Sequence, residues 1–113
     1  VDWIKENLLS FLKSKSSLKL PFYQDDDSLK WKEVHIAKKS IILVEGVFLQ
    51  RKEWKSFFDF MIFLDCPRKT RFKRESSYTQ QKKELFEKRY WSAEDYYLNK
   101  ENPIELADYV IKN

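Results

Sequence analysis

Hydrophobic and polar positions along this chain change period from block to block. The opening stretch "DWIKENLLSFLK" places Trp3, Ile4, Leu8, Phe11 and Leu12 near helical spacing, with Asp2 available as the N-cap. That spacing predicts an amphipathic helix from about Trp3 to Lys13, ended by "SKSS". "LKLPFY" then alternates apolar and polar residues up to Pro21, which suits an extended or edge segment. Asp25, Asp26 and Asp27 read as a loop, without the spacing or glycine of a calcium loop. "KWKEVHI" sets Trp31, Glu33 and His35 against Lys32, Val34 and Ile36, which predicts a short strand exposed on one face.

Two uninterrupted apolar runs follow, Ile41 to Val44 and Phe60 to Leu64, each ending in a carboxylate, Glu45 and Asp65. Runs of this length without alternation are expected of strands buried on both faces, the habit of parallel sheets. The intervening "LQRKEWKSFFDF" is long enough for a short crossover helix carrying Trp54, Phe57 and Phe58 inward, which would complete a βαβ unit. Pro67 is placed to open a further helix. A long helix follows, with Leu85, Phe86, Arg89, Tyr90, Ala93, Tyr96 and Tyr97 as its aromatic-rich stripe. A last apolar stub, Tyr109 to Ile111, fits an edge strand. The fold class is α/β, with strands and helices alternating.

Length restricts this picture to one domain, residues 1–113. A hydrophobic fraction of 42% and an aromatic fraction of 17% exclude a disordered chain, although 35% of residues are charged. No apolar stretch approaches membrane-spanning length, and the N-terminus lacks the order of a signal peptide. The single Cys66 can form neither an intramolecular disulfide nor a zinc site, so the chain reads as intracellular and cytoplasmic, with no membrane partner. A formal charge of +4 and a pI near 9.1 favour anionic partners, nucleotides, phosphates or RNA among them.

Candidate chemistry follows from where the charges fall. In open α/β sheets ligands bind beyond the carboxyl ends of the strands, the position of Glu45 and Asp65. Acids there can hold Mg²⁺ or orient a hydroxyl, and they also commonly cap the next helix. Gly46, the only glycine, would let the backbone turn sharply or take a positive φ. From Arg68 to Arg89 nine basic residues stand against three acidic ones, beginning with Arg68, Lys69, Arg71, Lys73 and Arg74. Arg71 and Arg74, three apart, share a helix face from which guanidinium forks could grip phosphate oxygens. The alternatives are a solvated helix face and a surface for RNA or another polyanion with aromatics to stack on. Arg68 and Tyr23, the latter in an extended segment after Pro21, are candidates for nucleotide or substrate binding. His35 has no Ser, Cys or metal-ligand partner near it in sequence and reads as structural.

A phosphate-cradling G-x-x-x-x-G-K-[ST] loop needs glycines that this chain lacks, and a G-x-G-x-x-G turn is absent for the same reason. Against that gap, the order "LPFYQ", "IILVEGVFL", "FDFMIFLDCPRKTRFKRE" and a terminal "NP…AD.VI" resembles the C-terminal portion of the uridine kinase-like P-loop kinases, relatives of phosphoribulokinase and pantothenate kinase. The resemblance covers nearly the whole chain. It implies a three-layer parallel-sheet kinase fold, truncated by loss of the P-loop strand and its helix. The implied reaction is phosphoryl transfer from ATP, with Mg²⁺, to a nucleoside or similar hydroxyl. By position, Glu45 matches the acid associated with Mg²⁺, Arg71 and Arg74 match the lid arginines that contact phosphates, and Tyr23 matches the aromatic of a nucleoside-contacting "P-x-Y-D-F" segment. Gln24 stands where that segment has aspartate. The resemblance further implies an isolated chain inactive as a kinase, because the P-loop and the acidic catalytic-base motif precede the matched region. It also implies that the P-loop strand would lie between the two predicted parallel strands, so that without it they pair directly or the chain forms a homo-oligomer through exposed edges.

Overall fold

The computed structural model describes residues 2–113, which form two compact units, one running to Gly46 and the other Val47–Asn113. The first unit opens with helix α1, Asp2–Ile4, continuing into a π-helical turn, Lys5–Leu9, with irregular turns to residue 14. Ser10 closes the widened turn twice, donating to the Lys5 carbonyl from its backbone N–H (3.0 Å) and its hydroxyl (2.7 Å). Strands β1, Ser17–Tyr23, and β2, Leu29–His35, form an antiparallel hairpin in register from Ser17↔His35 to Tyr23↔Leu29. Leu18 is buried on one face opposite Val34, and among the described residues of this unit Leu9 is buried as well.

The acidic run makes the hairpin turn. The Gln24 N–H bonds to the Ser28 carbonyl at 3.0 Å, and the Asp27 N–H to the Gln24 carbonyl at 2.9 Å. Asp27 takes the left-handed conformation, φ 61°. This is a three-residue connection with its last residue in αL, a position that Asp tolerates better than most residues. Asp26 Oδ1 accepts from both the N–H and the hydroxyl of Ser28, at 3.0 and 2.6 Å, which fixes the loop from inside.

Beyond the hairpin, the structure departs from the expected βαβ unit. Residues 41–46 form no strand, and Ile41 and Leu43 are 98% and 85% exposed. A β-rich run becomes a strand only where a neighbour satisfies its N–H and C=O groups, and among the described residues nothing pairs with it. The crossover helix is reduced to one 3₁₀ turn, Lys55–Phe57, although Trp54 is buried as expected. Gly46 has no positive φ; that conformation falls on Phe48 instead, at φ 61°. For a bulky side chain this is a strained geometry, held here by contacts of the ring.

In the second unit β3, Ile62–Asp65, pairs in parallel with β4, Tyr109–Lys112, in register from Ile62↔Tyr109 to Asp65↔Lys112. The small parallel sheet of the α/β expectation is therefore present, built from the second apolar run and the C-terminal stub. Its connection is helical throughout: α2 (Arg68–Lys73), α3 (Ser77–Gln80), α4 (Lys83–Leu85), a π-helical stretch (Phe86–Trp91), α5 (Ser92–Glu101) and α6 (Pro103–Leu106). Pro67 precedes α2 as its N-cap residue, and Ser76 caps α3 by accepting from the Thr79 N–H at 3.2 Å.

The π-helical stretch corrects the predicted stripe. A widened turn advances the helix phase, so Phe86, Trp91, Glu94, Tyr97 and Leu98 face inward, whereas Leu85, Tyr90 and Tyr96 are exposed. The Ser92 hydroxyl donates to the Glu87 carbonyl at 3.2 Å, satisfying one carbonyl that the wider turn releases. Helix α5 ends at Asn102 in αL (φ 47°), and the buried Pro103 opens α6. Asp108 ties the sheet at its start: Met61 N–H donates to its Oδ2 at 2.7 Å, while its own N–H donates to the Met61 carbonyl at 2.9 Å.

Candidate functional site

The basic helix α2 and its C-cap residue place three arginines in three different environments. Arg68 donates from Nε to Glu94 Oε2 at 3.2 Å and from Nη2 to Asp95 Oδ1 at 2.6 Å, with its guanidinium 5.2 Å from the centre of the Trp91 ring. The Asp95 hydrogen bond, helped by the charges of Glu94 and Asp95 and opposed by burial, raises its pKa above the ordinary arginine value. Its charge is fixed, and two of its five donors are taken. Arg71 donates from Nε to the Cys66 carbonyl at 3.0 Å and from Nη2 to Glu94 Oε1. Arg74, at the C-cap of α2, is exposed and has no side-chain partner among the described residues.

One carboxylate, Glu94, thus bridges Arg68 and Arg71, and it is the least exposed of the four charged groups at 19%. Beneath this network Phe72 meets Phe86 and Trp91 edge-on, with ring centroids 5.4 and 5.7 Å apart. The aromatic packing fixes the spacing between α2 and the helix carrying Glu94, which the ion pairs alone would not do, since partly exposed pairs contribute only about 0–1 kcal/mol each. Glu94 lies 23 residues beyond Arg71, outside any local spacing rule, and so was not a sequence candidate.

The segment after Gly46 is anchored on α5 and α6 by groups that the sequence also left unmarked. The Gln50 N–H donates to the Tyr97 hydroxyl at 3.1 Å, and Gln50 Nε2 donates to the Pro103 carbonyl at 3.0 Å. Both residues are buried, and burial pushes the Tyr97 phenol pKa up. The Phe48 ring lies 4.9 Å from that of Tyr97, and the Arg51 guanidinium stacks over Phe48 and Trp54 at 5.7 and 5.0 Å. Lys52 N–H reaches Glu101 Oε2 at 3.2 Å. Two helices therefore hold the strained backbone at Phe48 in place.

In the first unit Tyr23, 74% exposed, lines a shallow depression of about 480 Å³ with Phe22, Gln24, Asp25 and Asp26. An exposed ring beside an amide and two carboxylates can stack on a planar group and accept hydrogen bonds from hydroxyls. Glu45 is exposed, with no hydrogen-bond or ion-pair partner among the described residues. Among those residues no three His, Cys, Asp or Glu side chains cluster to hold a metal ion. A free carboxylate nevertheless fits what Mg²⁺ asks of a protein when phosphates and water complete its octahedron. No helix among the described residues is long and apolar enough to cross a membrane.

The chain is similar to a solved structure, a possible uridine kinase from Bacillus stearothermophilus. The match has 41% sequence identity and a TM-score of 0.77, and it covers 97% of this chain. The chain spans about half of that protein, 53% of its length. No protein-family model matches the chain. No curated protein matches it either. At this identity and TM-score the chain shares the fold of the matched part of that protein.

Proposed function

We propose that this chain is the C-terminal part of a uridine kinase-like phosphotransferase, which moves the γ-phosphoryl group of ATP to the hydroxyl of a nucleoside or similar small molecule. The observation that carries this reading is the similarity along 97% of the chain to a possible uridine kinase. Arg71 and Arg74 neutralise the charge of the transferring phosphoryl group, the largest contribution a protein makes to such a reaction. Tyr23 stacks on the acceptor, and Arg68 contributes to nucleotide binding with the donors that Glu94 and Asp95 leave free. Glu45 is the carboxylate for Mg²⁺, which when bound neutralises phosphate oxygens.

The glycine-rich loop that would cradle ATP is not part of this sequence. By itself the chain is therefore expected to show no ATP-dependent phosphorylation of nucleosides. In a longer polypeptide that carries G-x-x-x-x-G-K-[ST] upstream, turnover appears, and Arg71→Ala and Arg74→Ala each lower kcat about 10²-fold or more while leaving thermal stability nearly unchanged. Turnover by this chain alone, or full turnover in both variants, overturns the proposal.

A basic RNA-binding module is the competing function, and the pairing pattern favours it less than the raw charge count does. Beyond α2, Lys83 pairs with Glu87 and Lys88 pairs with Glu84. An RNA-binding surface would show affinity falling steeply with salt and indifferent to Mg²⁺.

A further inference from the structure

Glu94 belongs to none of the roles assigned above, yet its two oxygens are divided between two arginines of α2. Arg71 is 44% exposed, so it is accessible to a ligand, but it is not free to swing. A guanidinium has five N–H donors in a rigid plane. The Nε edge of Arg71 is used completely, with Nε on the Cys66 carbonyl and Nη2 on Glu94. What remains is the edge formed by Nη1 and the second Nη2 hydrogen, the edge that takes two phosphate oxygens side by side.

We propose that Glu94 is a positioning residue: together with the Cys66 carbonyl it clamps the Nε edge of Arg71 and so presents the opposite edge to a phosphoryl group. This rests on the reading of Arg71 and Arg74 as phosphate-contacting residues. Glu94 itself never touches the ligand. Its negative charge opposes an approaching anion, while the order it imposes on a long side chain favours binding. Immobilising an arginine otherwise costs much of its rotamer freedom at the moment of contact. The second oxygen of Glu94 accepts from Arg68 Nε at 3.2 Å, a contact that the Glu94–Arg71 bond does not depend on.

The test uses this chain and inorganic tripolyphosphate, with affinity measured by calorimetry. Glu94→Gln keeps the size of the side chain but has one acceptor oxygen, enough for one arginine and not both. It is expected to weaken binding about fivefold, the order of releasing one long side chain. Asp95→Asn serves as the structural control, because it loosens Arg68 and leaves the Glu94–Arg71 contact; its affinity should stay within about twofold of the parent. Adding Glu94→Gln to Arg71→Ala should change nothing further, since the clamp then has no arginine to hold.

Unchanged or tighter binding by Glu94→Gln, an equal loss in Asp95→Asn, or additive losses in the double variant each overturn the positioning role. One measurement needs no variant: the Arg71 Nε–H resonance in the parent chain should be slow to exchange and its guanidinium restricted in rotation. A freely rotating group overturns the proposal even if Glu94→Gln does not fold. The underlying phosphate reading fails separately. If the parent does not bind tripolyphosphate, or if Arg71→Ala and Arg74→Ala both bind like the parent, that reading and the positioning role fall together; a weakened Arg71→Ala beside an unchanged Glu94→Gln removes the positioning role alone.

Discussion

Tyr97 supports the segment after Gly46 with both ends of its side chain, its ring against Phe48 and its hydroxyl on the Gln50 N–H. Removing the hydroxyl leaves a buried backbone donor without its partner, which costs about 1–3 kcal/mol. Tyr97→Phe should therefore lower the thermal midpoint and speed hydrogen exchange of the Gln50 amide far more than that of the hairpin amides. Equal exchange at Gln50 in variant and parent would show that the contact does not hold the segment. The same scale separates the arginines of α2, which the sequence lists as one basic run. Arg68 is packed and paired, Arg71 is clamped on one edge, and Arg74 is open. Residue type and the spacing of three were legible in sequence; the difference between them was not, because it depends on carboxylates more than twenty residues away.

The β1–β2 hairpin is the element whose stability answers to pH. Hydrogen bonds from Ser28 lower the Asp26 pKa below its ordinary 3.8, and the Ser17 hydroxyl, 2.7 Å from Glu33, lowers that of Glu33 below 4.5. Both carboxylates bind protons more weakly when the hairpin is folded than when it is not. Their contribution is therefore complete above the ordinary carboxylate range, and it is lost as pH falls through the depressed folded values. Hairpin amide protection should be flat from neutral pH down to about 5 and then fall, and Ser17→Ala should remove the Glu33 part of that fall. Protection that is independent of pH down to 2 would contradict this. At this scale the sequence was most readable where an element is made by its own residues. The extended segment after residue 16, the acidic loop, the helix after Pro67 and the C-terminal strand appear as expected, whereas β2, expected to be exposed on one face, is exposed on both, and its pairing with β1 was not read from the sequence. The run Ile41–Val44 fails as a strand because a strand needs a partner, and pairing is not a property of the run.

For the whole molecule, the outstanding feature is apolar surface left uncovered. On one face of the parallel pair Ile62, Leu64, Tyr109 and Ile111 are all exposed, and among the described residues β3 pairs on a single edge. Such a face and edge invite further strands or another copy. The chain in solution should accordingly sediment faster as concentration rises from the micromolar range, and a constant monomeric value at every concentration would exclude self-association. Composition, the two apolar runs, the single glycine and the order of "VEGVFL", "IFLDCPRKTRFKRE" and "AD" determine by themselves an α/β chain without a glycine-rich phosphate-cradling loop. Those are local facts, written in residue type and order. Which strand β3 pairs with, where the strained φ falls, which face of the late helix turns inward, and which arginine keeps a free edge were decided by tertiary structure alone. Each depends on a partner distant in sequence, whether a strand, a tyrosine hydroxyl or a shared carboxylate, and no periodicity records such a partner.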